Sequence, residues 1–227
     1  MPKLIKAESY KLFHSVYLWL IGLGFLLLNS SIIPDYLKRG FTWFDGSLYI
    51  GKFFFFMIAA LAVVFFGSEF EQRVIQHYVT AGNSRSSIFM AKSTVFLIGG
   101  TAILEGTLFI HALIGLIFKG EPIDYKTMLL LIPAFIAECT VPLFLGFLFR
   151  DVAKTLAGGL IFFIFTVATL NDPAILDKVM FLPYAQRLQP ISGVFYENLT
   201  TNLIVDIIWT IVFLIGAYAA FRRSDLK

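Results

Sequence analysis

Long apolar runs alternate with short polar connections along this chain, and the apolar residues come in blocks, not at the three-to-four-residue spacing of a surface helix. Crossing a bilayer takes roughly 20 predominantly apolar helical residues. Six runs approach or exceed that length: 15–33, 51–67, 93–118, 127–149, 152–170 and 203–221. The second and fifth are the shortest, and they span only if the bilayer thins locally or neighbours cover them. The pattern predicts an all-α polytopic membrane protein in which residues 15–227 form one six-helix transmembrane domain.

The connections are as informative as the spans. Residues 1–14 predict an amphipathic interfacial helix, with Leu4, Ile5, Leu12 and Phe13 turned to lipid and Lys3, Lys6 and Lys11 to head groups. A basic flank of the first span is the alternative. Residues 34–49 carry Trp43, Phe44 and Tyr49, as an interfacial aromatic belt would. Pro122 marks a tight turn within 119–126, and the still shorter Arg150–Asp151 connection makes spans four and five a close hairpin. The longest connection, 171–202, has Pro173, Pro183 and Pro190 between apolar pieces too short to span. Backbone at membrane depth must pair internally, so short re-entrant helices in the outer leaflet are expected there.

Residues 68–92 are polar and charged between two oily runs. Ser68 is placed to cap a helix whose first turn holds Glu69 and Glu71, with Arg73 four residues after Glu69 as an ion-pair partner. Phe70, Val74, Ile75 and Tyr78 give that helix an apolar stripe. Gly82 offers a left-handed stop, and Asn83, Ser84 or Ser86 starts a second short helix running through Ile88, Phe89 and Met90 to Lys92. The expectation is helix, glycine corner, helix; an ordinary interfacial loop is the plainer reading.

Composition narrows the class. A chain that is 58% hydrophobic, with 26 Phe in 227 residues, does not describe a water-soluble core. Six spans place both termini on one side. Lys3, Lys6, Lys11, Arg73, Arg85, Lys92, Arg150, Lys154, Arg222, Arg223 and Lys227 fall on that side in short segments, which predicts cytoplasmic termini. No cleavable signal is expected, because the first apolar run is span-length and no small-residue cleavage pattern follows it. The net charge of +3 is that of a membrane protein with basic inner loops, and nothing points to nucleic acid. Cys139 is alone, so no disulfide framework or cysteine metal site is predicted.

Ionisable groups within spans cost about 2.5 to 3.5 kcal/mol each at a helix centre, and so tend to face a bundle interior or a cavity. They are Glu105 and His111 in span three, Glu138 in span four and Asp206 in span six. Glu105 and Glu138 are candidates for counter-charge along a cationic substrate's path, or for protonated carboxyls bonded to an adjacent helix. His111 is expected to be a packing histidine, and Gly99, Gly100, Gly158 and Gly159 to permit close helix contact. Phe54 and Phe162 stand in phenylalanine clusters that suit either an amphipathic substrate or lipid. An intramembrane hydrolase would need facing catalytic groups, and Glu105 and His111 point about 120° apart on one helix. A secondary transporter would predict inverted repeats and matching broken helices, which the sequence does not display.

Two segments carry a family resemblance. Lys3, Leu4, Lys6, Ala7, Glu8, Tyr10, Lys11 and Leu12 precede the first span, and Glu69, Glu71, Gly82, Ser84, Arg85, Ile88, Phe89 and Lys92 follow the second. In this the chain resembles the small six-span, type-2 permease subunits of bacterial ATP-binding-cassette transporters, which include bacitracin-resistance, lantibiotic-immunity and peptide-toxin export systems. Arg73 and Val74 depart from the Gly-Thr step that such chains show. The resemblance implies a transport subunit, not an enzyme, in the bacterial cytoplasmic membrane. Two copies of a separate ATPase would hold ATP and magnesium, a second permease would complete a homo- or heterodimer, and this chain would bind no cofactor or metal. It further implies that 68–92 is a coupling helix, with Glu69, Glu71, Arg73, Ile75, Tyr78, Gly82, Ser84 and Arg85 at the ATPase contact, and that 171–202 acts as an extracellular gate. The Gly46-to-Lys52 stretch has phosphate-loop spacing, but Phe53 stands where a magnesium-binding Ser or Thr is needed.

Overall fold

The computed structural model describes residues 1–49, 51–170 and 199–223, all helices, turns and connections, with no strand among them. The helices are α1 (Pro2–His14), α2 (Val16–Leu37), α3 (Trp43–Tyr49), α4 (Gly51–Ala62), α5 (Ser68–Glu71), α6 (Val74–Thr80), α7 (Arg85–Lys119), α8 (Tyr125–Phe149), α9 (Val152–Leu170) and α10 (Leu199–Arg222). Four are long and apolar enough to cross a membrane: α2, α7, α8 and, over Asn202–Arg222, α10. That marks the chain as a membrane protein. A shorter apolar helix, Val152–Ala168, lies within α9. The second expected span is built differently, because α4 runs into a π turn, Val63–Gly67, and then directly into α5. The expected outer gate, 171–202, lies outside the described residues except for its last four positions, and so does the side chain of Phe54.

α8 is the hub, packed against α7, α10, α4 and α9, and it continues through Pro133 and Pro142. Its neighbours approach closely where glycines permit. A Cβ on Gly100 of α7 would lie 2.7 Å from Cys139 Sγ, and one on Gly159 of α9 would lie 2.7 Å from Ala59 Cβ of α4. These glycines are packing devices, as expected. Rings fill the end of the bundle near α1. Phe147 sits 4.7 Å from Phe66, 5.0 Å from Phe89 and 5.2 Å from Phe221, centroid to centroid, tying α8 to the π turn, α7 and α10.

α1 has the predicted bounds but a different orientation. Leu4 and Leu12 are buried, Leu12 against Gly99 of α7, while Tyr10 and Phe13 are exposed. The helix thus turns an apolar edge inward and docks on α7 instead of presenting it to lipid, because burying Glu8 beside Lys92 fixes its rotation. The loop expected over 34–49 contains α3, whose Phe44 is buried and whose Trp43 ring stacks 6.4 Å from His111. Those two aromatics face the protein, not an interfacial belt. The α8–α9 hairpin forms as predicted, with Arg150 in the left-handed conformation at φ 55° and Asp151 Oδ1 accepting from Lys154 N.

Candidate functional site

The connection between α4 and α7 folds as helix, corner, helix. Gly82 adopts φ +85° and Ser84 Oγ accepts from Ser87 N at 3.2 Å to start α7. The second helix is not a separate piece, however: it is the first two turns of the 35-residue α7, which at 1.5 Å per residue is about 52 Å long and outreaches a hydrocarbon core of about 30 Å. Ser68 does not cap. Its hydroxyl instead donates to Val64 O, because the π turn feeds α5 without a break. π turns concentrate at functional sites, and this one stands directly before the polar segment.

The electrostatics differ most from the sequence expectation. Glu69 is 3% exposed and pairs with Lys11 of α1 and Lys92 of α7, not with Arg73. Lys92, fully buried, also donates to Glu8 Oε2 at 2.9 Å, and its ammonium lies 5.1 Å from the Phe65 ring and 5.6 Å from the Tyr78 ring. Two carboxylates and two ammonium groups thereby balance where α1, α5 and α7 meet. Tyr78 lies beside Glu8, and burial first, then that carboxylate, pushes its phenol up to about 12. No local pattern joins Glu8, Glu69 and Lys92, which are far apart in sequence.

Each predicted coupling residue has a definite place. Ile75 is fully buried and anchors α6. Glu71 Oε1 accepts from Val152 N at 2.8 Å, capping α9, and Arg85 Nη1 donates to Arg222 O at 2.8 Å at the end of α10. Ser86 shares a 2.8 Å hydrogen bond with Tyr218 of α10. The segment is thus fastened to α1, α7, α9 and α10, and its outward rim is Gln72, Arg73, His77, Thr80, Gly82 and Ser84, all exposed. Arg73 holds φ 60°, the left-handed region in which a non-glycine residue is uncommon, at the junction between α5 and α6.

Within the spans the polar groups separate into two kinds. His111 is satisfied at both ring nitrogens, 2.9 Å from Ser30 Oγ and 2.9 Å from Ser47 Oγ. Ser30 Oγ donates to Leu26 O at 2.7 Å, so His111 Nε2 is the donor to Ser30 and Nδ1 accepts from Ser47. Asn29 Nδ2 continues the chain to Ser47 Oγ at 3.2 Å. This relay clamps α2, α3 and α7, and it leaves Ser30 without a base to take its proton. Glu138 is of the other kind: fully buried at the side of α8 toward Asp206, with no hydrogen bond to either oxygen among the described residues. Glu105 Oε1 is likewise buried and unpartnered, but the residue lines an open groove between α7 and α8. Phe162 packs against Ala59 and Val141, between α9, α4 and α8. No group of three or more His, Cys, Asp and Glu placed to hold a metal occurs among the described residues.

Against known proteins, no family model matches the chain, and a search of curated proteins returns no match.

Proposed function

We propose that this chain is the membrane-spanning permease subunit of a bacterial ATP-binding-cassette exporter, moving an amphipathic substrate such as an antimicrobial peptide, a peptide toxin or a drug out of the cell or its membrane. In this reading α2, α4 with the π turn, α7, α8, α9 and α10 are six spans, and both termini are cytoplasmic. A partner ATPase supplies ATP and magnesium, two ATPases act on two permeases, and α5, α6 and the start of α7 dock on the ATPase. The supporting observation is mechanical. The exposed rim from Gln72 to Ser84 is braced by a buried charge network and by direct bonds to α9 and α10, so a force on the rim passes to several helices together. A loosely tethered loop would absorb such a force.

Co-purification in detergent with an ATPase encoded beside the gene tests the reading. Charge reversal at Glu71 or Arg85 would be ambiguous, because both hold neighbouring helices. Arg73→Glu with His77→Glu alters only the rim. The wild type is expected to retain the ATPase and the rim variant to lose it at unchanged thermal stability. If the wild type binds no ATPase, the partner-driven reading fails, and the unpartnered carboxyls of α7 and α8 make an ATP-independent secondary transporter the reading to test next.

A further inference from the structure

We propose that Glu105 is the anionic end of a binding site for amphipathic monocations, set in a groove on the outer face of α7. The groove between α7 and α8 has a volume of about 480 Å³ and is lined by Thr94, Ile98, Thr101, Glu105, Ile132 and Ile136, among others. Such a volume falls in the range of small-molecule sites, which combine apolar walls with a few polar groups. The ionisable group here is the Glu105 carboxyl, beside the hydroxyls of Thr94 and Thr101, and no Lys, Arg or His lines the groove. Glu105 lies midway between Lys92 and Lys119 on α7, about 20 Å from each at 1.5 Å per residue, which places it near the middle of the span.

Continuity with a second groove gives the site an approach. A hollow of about 290 Å³ between α7 and α10, lined by Met90, Ser93, Tyr218 and Ile215, shares Thr94 and Leu97 with the first. Met90, Thr94, Thr101 and Glu105 follow one another at helical spacing, so a single face of α7 runs from the end bearing Lys92 to the carboxyl at mid-span. Ser93 Oγ and Glu105 Oε1 are both buried and lack hydrogen-bond partners among the described residues. Glu138 supplies the internal contrast. It has the same chemistry, but it is fully buried and lines neither groove. Charge complementarity therefore selects a cation for the Glu105 groove, and the apolar walls select one carried on an oily body. This deepens the transport reading and rests on it for its purpose, but binding itself needs no ATPase.

Tetraphenylphosphonium is the probe, and saturable binding is measured by equilibrium dialysis against the purified chain in phosphatidylcholine nanodiscs, with empty nanodiscs subtracted. The wild type is expected to bind saturably, Glu105→Gln to bind at least tenfold more weakly, and Glu105→Asp to stay within about threefold of wild type. Ala102 also lines the groove, so Ala102→Trp, which fills it and leaves the carboxyl in place, is expected to abolish binding, whereas Glu138→Gln leaves it unchanged. Each variant must elute as a single species before dialysis. Equal binding by wild type and Glu105→Gln, an equal loss in Glu138→Gln, or no saturable binding by the wild type overturns the site. Glu105-dependent binding without ATPase co-purification upholds the site while the ATPase-driven reading fails, and the reverse pair of results does the opposite.

Discussion

Two regions of this bundle bury charge in opposite ways. At the junction of α1, α5 and α7, Glu8, Glu69, Lys11 and Lys92 stand against one another, and each ammonium faces a carboxylate. At mid-span, Glu105 and Glu138 have carboxyl oxygens with no hydrogen-bond partner among the described residues. The first arrangement fastens three separate elements, since a buried charge that loses its partner is costly. The second leaves bonding capacity unused, and such capacity in a span marks either a neutral carboxyl or a place for an incoming cation. Paired charge here is architecture; unpaired charge beside a groove is opportunity.

The sharpest break of the comparison is Lys92→Met, which leaves the buried Glu8 without its ammonium and Glu69 with Lys11 alone. The expected loss is about 3 to 5 kcal/mol, read as a large drop in thermal midpoint in detergent. Adding Glu8→Gln is expected to recover part of it, and additivity of the two changes would show that they do not share a network. Next comes Gly159→Leu, whose Cβ would meet Ala59 Cβ at 2.7 Å. Forcing α9 from α4 should cost about 1 to 3 kcal/mol in the same assay. Glu71→Gln weakens the cap on Val152 N, and the expected cost of about 1 kcal/mol is visible as faster amide exchange in the first turn of α9.

Glu105→Gln sharpens the contrast from the other side. It removes a carboxyl with no internal partner at Oε1 and should leave the thermal midpoint unchanged, while a drop comparable to Lys92→Met would make Glu105 structural. The last effect appears only at alkaline pH. Tyr78 has its pKa raised from 10.0 to about 12, so the folded protein holds that proton more tightly than the unfolded chain. The contribution is complete below pH 10 and disappears as pH rises toward 12. Tyr78→Phe should flatten the loss of stability across that window, and its difference spectrum should lack one late-titrating phenolate.

Much of this was legible because the relevant signals are local. Block hydrophobicity locates α2, α7, α8 and α10, glycine at 82 makes the corner that its conformational freedom allows, and Ser84 caps the helix it precedes. The two-residue Arg150–Asp151 connection leaves α8 and α9 no choice but to fold back. Other signals misled for the same reason. Four-residue spacing suggested that Glu69 would meet Arg73, yet a solvent-exposed helical pair contributes only about 0.3 to 0.5 kcal/mol, and a buried lysine across the bundle outweighs it. Ser68 read as the cap of a new helix, whereas the helix of 51–62 changes to a π turn and carries on through Ser68 to Glu71.

The sequence by itself determined that the chain is helical and oily, where its long helices lie, and that a polar helix–corner–helix interrupts them, because hydrophobic blocks, caps and glycine corners act over a few residues. Only the tertiary structure decided which charges are partnered. Whether Glu69 meets Arg73 or Lys92, whether Leu12 faces lipid or Gly99, and whether Glu105 opens on a groove while Glu138 is sealed all depend on helix rotation. That rotation is set by the sum of many contacts between residues distant along the chain, and no short stretch of sequence contains it.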